Sequence, residues 1–88
     1  MKVLKFGAVW CKECLVMKPM WKRIEEEISG LQTEYYDADE HSELLVKYKI
    51  EKIPVFIFLD KNGVEIERLQ GMQNEDELKQ KVKNLLEK

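Results

Sequence analysis

Residues 53–60, Ile-Pro-Val-Phe-Ile-Phe-Leu-Asp, are the most hydrophobic run in the chain. A short apolar run of this kind reads as a buried strand, and a strand without a polar side has to be covered on both faces. The next residues say how it ends. Lys61-Asn62-Gly63 is a hairpin turn with Asn-Gly as its signal, and residues 64–69, VEIERL, alternate apolar and charged as a strand with one wet face does. The other elements must supply the cover.

Residues 2–8 are extended in character. From 11 to 29 the apolar residues Met17, Met20, Trp21, Ile24 and Ile28 recur at helical spacing, Gly30 ends the helix, and Pro19 inside it should bend it. Residues 32–37, QTEYYD, read as a strand. Residues 40–48 make a short helix with Asp39 as its expected N-cap. Asn74 caps a last helix over 75–87, with Leu78, Val82 and Leu85 on one stripe. The order is β-α-β-α-β-β-α. Strands one and two are expected parallel through a right-handed crossover, and strands three and four form an antiparallel hairpin. The fold class is therefore α/β: a mixed four-stranded sheet with helices on both faces.

A chain of 88 residues is the length of one domain, 1–88, without repeat or linker. With 44% hydrophobic and 36% charged residues, four glycines and two prolines, it is not disordered or low-complexity. Fifteen basic against seventeen acidic residues give a net charge of −2, which argues against nucleic-acid binding. The sequence has no run of 18 apolar residues that would span a membrane. Lys5 interrupts the N-terminal apolar run and no cleavage site follows, so the start does not read as a signal peptide and the expected location is cytoplasmic.

The only cysteines are Cys11 and Cys14. A disulfide between them closes almost no loop and stabilises little, so the pair reads as chemistry and not as a staple. Cys11 falls where a strand gives way to a helix. Unpaired N–H groups and the positive dipole end there favour an anion by about 1–2 kcal/mol, or roughly one unit of pKa. The thiolate is the nucleophile. Cys14 lies one turn on and within reach of a mixed disulfide on Cys11. Cys11 is thus expected to attack and Cys14, in the more protected position, to resolve. Lys12 and Glu13 between them modulate Cys11 in opposite senses. A zinc site would need four ligands, and only His41 and scattered carboxylates remain. His41 reads as a polar residue of the short helix, Trp10 as part of the site, and Trp21, Tyr36 and the methionines as packing. Glu25-Glu26-Glu27 reads as a solvated helix face.

The sequence resembles the thioredoxin family over nearly its whole length. Phe6, the motif Trp10-Cys11-Lys12-Glu13-Cys14, Pro19, Asp39, Tyr48, Ile53-Pro54, the Lys61-Asn62-Gly63 turn and Gly71 all fit its pattern. The resemblance implies a cis proline at Pro54 against the active-site disulfide. It also implies a shallow apolar surface made by Trp10, Ile53, Pro54 and Gly71, with Met72, on which an extended peptide docks by strand addition. The implied activity is reduction of protein disulfides, with a place in electron transport and cell redox homeostasis. It uses no cofactor or metal of its own, and an NADPH-dependent flavoprotein reductase regenerates the dithiol. A monomer is expected.

The departures are equally specific. The chain starts where the family's second strand starts, so four strands are expected, with an open edge at 32–37. Lys12-Glu13 replaces the usual Gly-Pro. Lys5 stands where the family buries an aspartate behind the second cysteine, and Tyr35 where it usually carries a lysine. Lys5 either reaches beneath Cys14 and modulates it, or lines the core with its stem and sends its amine to water. Two other functions stay open: a binding or regulatory module with weak exchange activity, and a glutathione-dependent exchange protein.

Overall fold

The computed structural model describes residues 1–87. Its elements follow the order β1 (Lys2–Gly7), α1 (Lys12–Glu27), β2 (Gln32–Asp37), α2 (Ser42–Lys47), β3 (Val55–Leu59), β4 (Glu65–Gln70) and α3 (Glu75–Leu86). The four strands form one sheet in the order β2-β1-β3-β4. β1 runs parallel to β2 and antiparallel to β3, and β3 and β4 are antiparallel. The expected α/β architecture is therefore the one observed. β2 is one open edge, and β4 is the other.

Alternation along the strands sorts side chains between two faces. Val3, Phe56 and Phe58 meet Met17, Trp21 and Ile24 of α1 and Leu78, Val82 and Leu85 of α3. Leu4, Phe6, Val55 and Ile57 point the other way, against Leu44 and Leu45 of α2 and Tyr48 just beyond it. The turn after β3 forms as its sequence asks: the Asp60 carboxylate accepts from the Asn62 and Val64 N–H groups at 2.8 and 3.0 Å. Gly63 sits at φ +81°, a backbone state that side chains disfavour. The Asn74 side chain accepts from Glu77 N–H at 3.1 Å and so caps α3.

Two local expectations are corrected. Asp39 does not cap α2: the N-cap is His41, which offers no side-chain bond. Nor is the acidic run of α1 merely solvated. Glu25 holds Lys5, and Glu27 pairs with Lys79 of α3. Arg23 grips Glu75 through two bonds of 2.6 and 2.9 Å, a second tie between α1 and α3. No helix among the described residues is long and apolar enough to cross a membrane.

Candidate active site

β1 ends at Gly7, and three residues bring the chain to the start of α1. Cys11 N–H donates to Ala8 O at 3.1 Å, which folds this connection tightly. Cys11 is the N-cap, in extended backbone, and its sulfur accepts from Cys14 N–H at 3.2 Å. An oxygen does this at an ordinary cap; here a thiol sulfur takes the position where unpaired N–H groups and the helix dipole favour negative charge. Cys14 follows with its Cα 5.2 Å away, and the two are joined as a disulfide. Their residue exposures, 5% for Cys11 and 9% for Cys14, do not make Cys14 the more protected one. What separates them is direction. Cys11 belongs to the small cluster with Ala8 and Ile53, whereas Cys14 also faces inward, onto Gly7 and a cavity under α1.

Around this pair the structure gathers the other expected residues. Trp10 is 66% exposed, yet its indole N–H donates to the Asp39 carboxylate at 2.9 Å. Asp39 is itself set by a turn in which its N–H bonds the Asp37 carboxylate at 2.8 Å. The role of Asp39 is therefore to hold Trp10. That partner lies 29 residues away in sequence, so the sequence marks Asp39 as a helix cap and as part of the family pattern, without its contact. The Ile53–Pro54 peptide is cis. Pro54 is buried, and its carbonyl accepts from Gly71 N–H at 2.8 Å, which ties the end of β4 to the start of β3. Met72, expected with the apolar surface, is half exposed beside Gly71, and Val9 beside Trp10 is more exposed still. Lys12 and Glu13 are both exposed on the first turn of α1.

Lys5 follows the second of its two expected courses in its stem and departs from it in its amine. Its stem lines the core face, with the amine 5.7 Å from the centre of the Trp21 ring. The amine then pairs with Glu25 at 2.7 Å, in a half-buried spot. The amine goes to a carboxylate on α1, neither to water nor to a bond with Cys14. Its strand neighbour Tyr35, in register with it, reaches toward Cys14 instead. His41 stays apart from the cysteines, edge-on to Tyr36 at 5.1 Å and beside Glu43.

Comparison with known proteins gives this arrangement relatives. The family model described as Thioredoxin matches residues 1–84. Thioredoxin-1 of Caenorhabditis elegans is 41% identical over 80 residues, covering 91% of this chain and 68% of its own length. Thioredoxin H5 of Oryza sativa subsp. japonica is 36% identical over 83 residues, covering 94% of this chain and 60% of its own length. The chain thus spans about three-fifths to two-thirds of these relatives. Among solved structures, thioredoxin from Trypanosoma brucei brucei superposes with a TM-score of 0.88 at 28% identity, over 99% of this chain and 75% of that one. Thioredoxin 1 of Thermosipho africanus superposes with a TM-score of 0.86 at 25% identity, over 99% and 96% of the two chains.

Proposed function

The chain belongs to the thioredoxin family, and from that premise we propose that it reduces protein disulfides by dithiol–disulfide exchange through Cys11 and Cys14. The family, the fold and the joined cysteine pair support thiol–disulfide oxidoreductase chemistry. The observation that carries the reading is the place of the Cys11 sulfur, at the N-cap of α1 and accepting a backbone N–H. That bond persists for a thiolate and strengthens with its charge.

The steps follow from this geometry. The Cys11 thiolate attacks one sulfur of a substrate disulfide; that S–S bond breaks and the other substrate sulfur leaves as a thiolate. Cys14, deprotonated, then attacks the Cys11 sulfur. The mixed disulfide breaks, the second substrate sulfur leaves, and Cys11–Cys14 remains oxidised. The two departing thiolates take protons from water. Trp10, Ile53, Pro54 and Gly71 form the docking surface, an exposed ring beside a half-buried isoleucine and a buried proline. Lys12 and Glu13 modulate Cys11 weakly, because both are solvated and screened. Lys5 modulates Cys14 less than its charge alone implies, since Glu25 offsets that charge. Residues 1–88 act in this reading as one domain and a monomer in the cytoplasm. They need no bound cofactor, and an NADPH-dependent flavoprotein reductase returns the pair to the dithiol.

The test mixes reduced protein with a disulfide-bonded protein in dithiothreitol and follows reduction. Catalysis that falls by at least a thousandfold in Cys11→Ser is the expected result. Wild type that gives no catalysis contradicts the reading and leaves a binding module. Reduction only with glutathione present moves it to the glutathione-dependent class.

A further inference from the structure

Behind the Cys14 sulfur, between α1 and the sheet, lies a cavity of about 30 Å³. Its walls include Lys5, Gly7, Cys14, Lys18, Trp21 and Tyr35, with Pro54 and Phe56 from the β3 side. Each of its residues with a side-chain oxygen or nitrogen can donate: the Tyr35 hydroxyl, which can also accept, the Trp21 indole N–H and the amines of Lys5 and Lys18. No carboxylate lines it. Trp21, one of the lining residues, has a fully buried indole N–H that finds no acceptor. Gly7 makes the approach possible. A β-carbon built there would stand 3.2 Å from Cys14 Sγ and 3.2 Å from the Tyr35 hydroxyl oxygen, so sulfur and hydroxyl border one point with only a glycine hydrogen beside it.

We propose that the Tyr35 hydroxyl is a catalytic hydrogen-bond donor to Cys14: once the disulfide opens, its O–H bonds the Cys14 thiolate and holds that sulfur ionised for the resolving step. This rests on the assignment of Cys14 as the resolving sulfur. Burial alone would push a thiol up and delay its ionisation; a hydrogen bond to the charged form opposes that. In the step, Cys14 gives its proton to solvent, and its electron pair forms the bond to Cys11 Sγ. The Cys11–substrate bond breaks, and the leaving sulfur is reprotonated from water. Tyr35 keeps its own proton throughout.

The surroundings are consistent with a donor. Burial first, then the charges of Asp37 and Glu40, raises the Tyr35 phenol above its ordinary value, so it stays protonated through neutral pH. Lys18 of α1 sits 5.7 Å from the centre of the Tyr35 ring. Lys5 of β1 faces the same space with its charge offset by Glu25. Pro54 and Phe56 bring nothing that titrates.

The experiment labels the cysteine β-carbons of the reduced protein with ¹³C and titrates both thiols in wild type, Tyr35→Phe and Gly7→Ala. Tyr35→Phe keeps the ring and removes the donor; it should weaken Cys14 as an acid about tenfold, one unit upward in pKa, with a far smaller change at Cys11. Gly7→Ala keeps both groups but sets a methyl between them, and should shift Cys14 in the same direction. Superimposable Cys14 curves for wild type and Tyr35→Phe overturn the proposal, as does a Gly7→Ala curve that moves downward. Because the titration involves no turnover, its failure is separate from a failure of the exchange reading, which the reduction assay detects.

Discussion

The two faces of the sheet are covered to different depths. On the α1/α3 face Trp21, Phe58, Met17, Ile24, Leu78 and Val82 are each within 2% of full burial. On the α2 face the helix is six residues long and buries none of them; Leu44, Leu45 and Tyr48 cover the strands only in part. The division matches a division of labour. The thick face carries α1 and so fixes the two sulfurs. The thin face carries the segment before α2, which supplies Asp39 to hold Trp10, and the segment after it, which brings Ile53 against Cys11 and Cys14. In the proposed reaction, chemistry that depends on fixed geometry stands on the more deeply buried side, and the proposed docking surface draws on the side with less local stability to lose.

Truncation of each face breaks or sharpens this contrast most strongly. Trp21→Ala removes the largest side chain of the thick core and should cost about 3–5 kcal/mol, while Leu44→Ala on the thin face should cost about 1–2 kcal/mol. Urea unfolding of both variants measures the gap, and equal losses would mean that α2 is as integral as α1. A smaller effect is expected at the start of α3. Asn74→Ala frees the Glu77 N–H from its cap and should lower the stability of the thick face by about 1 kcal/mol, read from the same unfolding curves.

The smallest effect is in acid. A hydrogen bond from Arg23 holds the Glu75 carboxyl below its ordinary value, and one from Arg68 does the same for Glu65. A carboxyl lowered in the folded state stabilises fully above its unfolded value of about 4.3, and that contribution disappears as pH falls through the folded one. The unfolding midpoint should therefore drop below about pH 4.3. Glu75→Gln should flatten the fall, because Glu75 ties α1 to α3. A midpoint that holds steady down this range would remove both ion pairs from the account.

The sequence made the fold legible wherever a signal is local. The stripe of Met17, Trp21, Ile24 and Ile28, the Asn62-Gly63 turn and the Asn74 cap each lie within a few residues of what they determine, and each is found in place. The cysteine pair at a helix start was readable for the same reason. The misreadings concern partners distant in sequence. Asp39 looked like a cap because it precedes a short helix, but its bond is to Trp10 across 29 residues. Glu25 looked solvated because its neighbours are acidic, yet Lys5 comes to it from β1 across 20 residues. Tyr35 stood out only as a departure from a family pattern. Its approach to Cys14 follows from β1–β2 register and from the absence of a side chain at Gly7, neither of which periodicity reveals.

Reduced protein, exposed briefly to iodoacetamide across a pH series and mapped by mass, tests the two sulfurs against each other. Alkylation is predicted at Cys11 first, with a midpoint below the roughly 8.5 of a free thiol. Modification that begins at Cys14, or a Cys11 that reacts only above that pH, would contradict the assignment of the attacking sulfur to the N-cap of α1.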